Sequence, residues 1–147
     1  MSITLTQQEA DALFAMEKHY LGTARFDLPL VGGRIEVPLF SSDKREEFLL
    51  DISRGRIAIS KSTYQNRART SVVLARIDVG GPVHRNPDDE EIPCPHLHLY
   101  REGFGDKWAM ALPPEFSSCA NMQETFQVFM GYCRVATRPI IESELFA

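Results

Sequence analysis

Three neighbouring segments decide the fold class: Glu47-Phe48-Leu49-Leu50-Asp51-Ile52-Ser53, then Arg54-Gly55, then Arg56-Ile57-Ala58-Ile59-Ser60-Lys61. Two short runs of apolar and β-branched residues flank a tight turn, which is the pattern of a β-hairpin. Ile57 and Ile59 are expected on one face, Arg56 and Ser60 on the other, because successive strand side chains alternate. A link this short joins antiparallel neighbours, whereas a parallel pair needs a crossover of a dozen or more residues. The same grammar extends both ways along the chain. Residues 25–30 form a short run, Val31-Gly32-Gly33 a turn, and 34–40 the returning strand. In that strand Ile35, Val37 and Leu39 alternate with Arg34 and Glu36, and Pro38 marks an edge. Residues 70–79 are a long β-branched run and read as a central strand. Residues 96–101 and 107–112 make a last hairpin around Gly103-Phe104-Gly105-Asp106, with Trp108 expected in the core.

Helices bracket these strands. Thr6-Gln7-Gln8-Glu9 has capping-box spacing. Ala10, Leu13, Phe14 and Leu21 follow at helical intervals, with Met16 and Tyr20 on the flank and Gly22 at a C-cap position. Asn121 and Glu124 open a second helix, 121–135, whose stripe is Met122, Phe126, Phe129, Met130 and Cys133. A tail with Ile140, Ile141, Leu145 and Phe146 is apolar enough to dock. The expected fold is α+β, one antiparallel meander sheet of six or seven strands with an N-terminal and a C-terminal helix. A chain of 147 residues suits a single domain over 1–147.

Composition excludes several classes. Hydrophobic residues at 44% and charged residues at 24% are globular values, so the chain has enough apolar material for a core. No run approaches a membrane span. Met1-Ser2-Ile3-Thr4-Leu5-Thr6 lacks a basic leader, so the expected address is cytoplasmic, without a membrane partner. Cys94, Cys119 and Cys133 are odd in number and form no CxxC pair, which argues against a disulfide framework and a four-thiolate zinc site. The net charge of −4 conceals an asymmetry. Arg54, Arg56, Lys61, Arg67, Arg69, Arg76 and Arg85 share their stretch with one acid, Asp78. Such a block either holds phosphates or is a solvated face balanced by acids from elsewhere.

The densest polar signal is His96-Leu97-His98-Leu99-Tyr100-Arg101-Glu102. On a strand His96, His98 and Tyr100 share one face, while Leu97 and Leu99 point to the core. In 70–79, Leu74, Arg76 and Asp78 share a face. If the two strands pair, Arg76 and Asp78 lie beside His96 and His98, and the long loop 80–95 brings His84 and Asn86. Three chemistries use such a set. In metal-independent phosphodiester cleavage, one histidine takes the 2′-hydroxyl proton and another protonates the leaving oxygen, with Arg76 or Arg67 on the developing charge. There His84, His96, His98 and Asp78 are the catalytic candidates. Arg76, Arg67, Lys61, Tyr64 and Tyr100 are the phosphate-binding candidates. In a metal site, His-x-His with a third histidine suits zinc or iron, although no histidine follows His98 and the glycines of a cupin motif are missing. In the third, the histidines are structural and satisfy backbone groups at a sheet edge. No Walker, GxGxxG, HExxH or GxSxG pattern is present, so no cofactor is expected.

Arg76-Ile77-Asp78, His84-Arg85-Asn86-Pro87-Asp88 and Pro95-His96-Leu97-His98-Leu99-Tyr100-Arg101-Glu102 together resemble an uncharacterised bacterial family associated with mobile elements and prophages. The likeness extends over 49–51, 63–67 and the closing helix. The order Arg-x-Asp, histidine loop, second histidine cluster is also similar to small toxins of toxin–antitoxin pairs. That likeness implies a ribonuclease acting on RNA, with Arg76, Asp78, His84, His96 and His98 at its site and an antitoxin as partner. A mobile-element protein that only binds, such as a host-defence antagonist, is the alternative.

Overall fold

The structure, a computed structural model, describes residues 4–57 and 60–142. In chain order the elements are α1 (Gln7–Ala15), β1 (Lys18–His19), β2 (Phe26–Asp27), β3 (Arg34–Ser41), β4 (Glu47–Arg54), β5 (Ser62–Ala68), β6 (Val72–Val79), β7 (His84–Arg85), β8 (Glu91–Ile92), β9 (His96–Leu99) and β10 (Ala109–Ala111). A 3₁₀ turn (Pro114–Phe116), α2 (Met122–Tyr132), β11 (Val135–Thr137) and β12 (Ile141–Glu142) complete the chain. The main sheet has eight strands in the order β10-β9-β6-β5-β4-β3-β1-β11, and β2–β12 and β7–β8 form two small pairs.

The class is α+β as expected, but the sheet is larger than six or seven strands and is mixed. β1 and β11 pair in parallel, Lys18 opposite Val135, as do β2 and β12. Each parallel partner arrives from the far end of the chain, and two- or three-residue strands carry no periodicity to announce themselves.

The deciding hairpin is displaced. β4 stands where the alternation puts it, but its partner begins at Ser62 rather than Arg56. Arg56 and Ile57 lie in the connection, with Ile57 96% exposed, and Ile59 falls outside the described residues. The β5 stretch Ser-Thr-Tyr-Gln-Asn-Arg-Ala turns Ser62, Tyr64, Asn66 and Ala68 inward, so its buried face is half polar and its pattern reads weakly. Pro38 sits on the part of β3 that β1 does not reach, since β1 pairs only with Phe40 and Ser41.

One face of the sheet carries the core. Val37, Leu39, Leu50, Ile52, Tyr64, Ile77 and Leu97 meet Phe126, Phe129 and Met130 of α2 and Ala10 and Leu13 of α1. Tyr64 packs between Phe126 and Phe129, with ring centroids 6.3 Å from each. α2 begins as its cap residues dictate, Asn121 Oδ1 accepting the Glu124 N–H. Ile141 docks into the core, Ile140 is half exposed, and Leu145 and Phe146 lie outside the described residues.

The first helix is shorter than its apolar spacing predicts. The capping box of Thr6 and Glu9 forms. The helix then ends at Ala15, because Met16 turns extended and Lys18–His19 enter the sheet. Gly22 caps nothing there, and Leu21 is half exposed. His19 is therefore a strand residue, bonded to Thr137 and Ser42. The cause is Lys18, which is fully buried. Its ammonium donates to the Phe14, Met16 and Cys133 carbonyls and lies over the Phe14 and Phe48 rings. The carbonyl ends of both helices thus converge on one cation.

Burial outweighs the neighbouring Cys133 thiol and lowers the Lys18 pKa from 10.5 to about 8. Between those values the unfolded chain binds the extra proton, so this group's contribution to stability rises with pH. It is complete above 10.5 and lost as pH falls through about 8. Denaturant midpoints from pH 7 to 10.5 are expected to rise in wild type relative to a Lys18→Met variant. Parallel pH profiles of the two proteins would refute this.

Candidate functional site

The strand pairing that creates a polar site is present. β6 and β9 run antiparallel, with Asp78 opposite His96 and Arg76 opposite His98. Directly opposed side chains share a face, so these four project together on the side away from the helices. Leu74 does not join them. The β5–β6 register shifts between Asn66 and Arg67, placing Asn66 opposite Ala75 and Arg67 opposite Val73. Leu74 is the residue left over, and it is buried in the core. This bulge changes which parity of β6 faces inward, and without it Arg76 and Leu74 would share a face.

The loop 80–95 supplies the third imidazole. It holds the β7–β8 pair, with His84 opposite Ile92. Asn86 folds against the sheet edge, Nδ2 donating to the Ala109 carbonyl and Oδ1 accepting the Ala109 N–H. Its amide thus imitates the next strand and closes the edge of β10 at that point. His84 is thereby laid over β9, with ring centroids 4.6 Å from His98 and 5.8 Å from His96. The His96 and His98 rings are 4.9 Å apart.

Hydrogen-bond partners fix most of the protons. A carbonyl or carboxylate only accepts, so the ring nitrogen facing it carries hydrogen. His84 Nε2 donates to the Lys107 carbonyl at 2.7 Å, which leaves Nδ1 as its lone-pair nitrogen. His98 Nδ1 donates to the Asp106 carbonyl at 2.7 Å. His98 Nε2 lies 3.1 Å from Arg76 Nη2 and 3.2 Å from Asp78 Oδ2. It accepts from the guanidinium when the ring is neutral and donates to the carboxylate when the ring is protonated. His96 Nε2 donates to Asp78 Oδ2 at 3.2 Å, and its Nδ1 is buried without a partner. Burial pushes the Asp78 pKa up, but the hydrogen bond with His98 and the Arg76 charge outweigh it. The carboxyl is held well below its usual range. Arg76 bridges this carboxylate to that of Asp106, 2.5 Å away.

These residues open onto a cleft of about 410 Å³, lined by Lys61, Thr63, Arg76, Asp78, His84 and His96 among others. Cys94 also reaches its wall, with Sγ donating to the Asp78 carbonyl at 3.3 Å. His84 is half buried and Lys61 exposed, whereas His98 is 0% exposed. The ring nitrogens of His98 meet Arg76, Asp78 and the Asp106 carbonyl beneath the cleft wall.

Three phosphate-binding candidates lie elsewhere. Tyr64 is in the core, on the opposite face of the sheet. Tyr100 bonds the backbone of Leu5 twice, as donor and acceptor, and so pins the N-terminus. Arg67 gives two bonds to Asp51 and one to the Thr70 carbonyl. Part of the basic block is neutralised in the same way, with Arg69 on Glu46 and Arg85 on Glu91 of the neighbouring short strand. Trp108 is half buried under Arg101, whose guanidinium carbon is 4.0 Å from its ring, with Phe104 at its edge. Asp106 is the site residue that sequence reading missed. It looked like one turn residue among four, and no local spacing links it to Arg76.

Among the described residues no helix is long and apolar enough to cross a membrane. Residues 5–135 match the model of a family of unknown function (DUF6978). No curated protein and no solved structure matches.

Proposed function

The chain belongs to that family of unknown function, and we propose that this member is a toxin-like, metal-independent ribonuclease acting through the His84 cleft. One observation carries the reading. His84, whose Nε2 is bonded to the Lys107 carbonyl so that Nδ1 is left without that partner, lines a 410 Å³ cleft together with two cations, Arg76 and Lys61. A cleft of that size accommodates a nucleotide.

His84 Nδ1 takes the proton of a 2′-hydroxyl, and the freed oxygen attacks the adjacent phosphorus. Arg76 and Lys61 face the extra negative charge of the pentacoordinate phosphorus. The bond from phosphorus to the 5′-oxygen breaks, and the Lys61 ammonium supplies that oxygen with a proton. The products are a 2′,3′-cyclic phosphate and a 5′-hydroxyl, so atoms and charge balance. His96, His98, Asp78 and Asp106 act by holding Arg76 in place. A protein that cleaves its host's RNA needs a neutralising partner, and an antitoxin is the partner this reading calls for.

Expression in bacteria tests it. Wild type is expected to arrest growth and degrade RNA, and a His84→Ala/Arg76→Ala variant of equal folded yield is expected to do neither. Purified wild type is expected to leave 2′,3′-cyclic ends in a buffer containing chelator. Normal growth and intact RNA with wild type would overturn the proposal in favour of a binding protein with structural histidines.

A further inference from the structure

Asp78, His96 and His98 each offer one ligand atom, and these three atoms lie within 4.8 Å of one another. The carboxylate oxygen is 3.2 Å from each imidazole nitrogen. A tetrahedral ion with bonds of about 2.0 Å has ligand–ligand edges of about 3.3 Å. Two edges of this triangle therefore already have coordination length. His98 meets the other demand of such a site, because its Nδ1–H is spent on the Asp106 carbonyl. That bond aims Nε2 at the ion and fixes the ring, as the outer partners of metal-bound histidines do. Both imidazoles are buried, while Asp78 is half buried and faces the cleft, so the remaining coordination position opens to solvent.

Two things stand in the way: the hydrogen that His96 Nε2 gives to Asp78 has to move to Nδ1, and Arg76 competes for the site. Arg76 Nη2 lies 3.1 Å from His98 Nε2 and 3.3 Å from Asp78 Oδ2, competing for the same atoms. A guanidinium and a divalent ion cannot both occupy that point. Arg76 has a second anchor in the Asp106 carboxylate, so it keeps a counter-ion when it leaves the histidines. We propose that Asp78, His96 and His98 form a site for a divalent transition-metal ion, zinc above all, which displaces the Arg76 guanidinium towards Asp106. Two imidazoles and one carboxylate favour zinc or cobalt over magnesium or calcium, which prefer all-oxygen shells. The site is thus a switch with two mutually exclusive cations. This does not rest on the ribonuclease reading; if that reading also holds, the metal is an inhibitor, because it withdraws Arg76 from the cleft.

The test is titration of chelator-stripped protein with Co²⁺, read by its visible d–d absorption, and with Zn²⁺ by calorimetry. Wild type is expected to bind one ion per chain. Arg76→Gln removes the competing cation and is expected to tighten binding at least ~10-fold. Asp78→Asn and His96→Gln are expected to weaken it by ~10-fold or more, while Cys94→Ser leaves it unchanged. Circular dichroism establishes that each variant is folded, and Asp78→Asn, which keeps the side-chain shape, decides if His96→Gln is not. No binding by wild type and Arg76→Gln alike would overturn the proposal, as would equal binding by Asp78→Asn and wild type. RNA cleavage is assayed separately in chelator, so either idea can fail alone.

Discussion

If the chain is the ribonuclease proposed above, His84→Ala is expected to leave the fold intact and to lower RNA cleavage by about 10²–10⁴-fold, the range that a general acid–base group supplies. His84 is half buried in a two-residue strand, and its ring makes one bond, to the Lys107 carbonyl. Its removal therefore takes little from the core. His98→Ala is expected to behave differently. That ring is wholly buried and bonded at both nitrogens, so truncation leaves the Asp106 carbonyl and Arg76 short of partners. Activity and unfolding midpoint should fall together in His98→Ala, whereas His84→Ala should lose activity alone. Initial rates on a short RNA, measured beside urea denaturation, separate the two. A His84→Ala protein that cleaves at the wild-type rate would remove His84 from the chemistry.

Asp51→Ala is expected to cost about 1–3 kcal/mol of stability, because the bonds that its carboxylate accepts from Arg67 and Gln65 are lost. Asp51 is 2% exposed although it lies on the polar side of the sheet. Arg67 Nε and Nη2 bond its two oxygens at 2.7 and 3.0 Å, and Gln65 adds a third bond at 2.8 Å. The pairing also decides what Arg67 does. Arg67→Ala should lower the unfolding midpoint and leave RNA cleavage per folded molecule unchanged. A phosphate-binding arginine would give the opposite result, stable protein with a raised KM. Urea midpoints of Asp51→Ala and Arg67→Ala within experimental error of wild type would show that the network contributes nothing.

Local pattern carried a large part of this protein. The Thr6–Glu9 capping box, the α2 stripe and the alternation of β3 and β4 are decided by neighbours three or four residues away at most, and the chain states them directly. The face shared by His96 and His98 follows from strand alternation, which is also local. Elements held by distant partners were not legible. The β1–β11 pair exists because Lys18 binds the carbonyl ends of both helices, and the Ser62 start of β5 because Asn66 and Ser62 find places under the sheet. A lysine in the core and a polar buried face contradict the pattern a sequence is read by.

The candidate site divides in the same way. Sequence by itself determined that Arg76, Asp78, His84, His96 and His98 are a dense polar set on two strands and a loop. The tertiary structure decided that the two strands are neighbours, that a bulge at Leu74 turns Arg76 to the histidine side, and that Asp106 holds its other end. It also decided which cations remain available. Arg67 meets a carboxylate far away in the sequence, whereas Lys61 meets none among the described residues. Whether a charge faces a ligand or a partner depends on what packs against it, and that is set by strand register rather than by the residue's own neighbours.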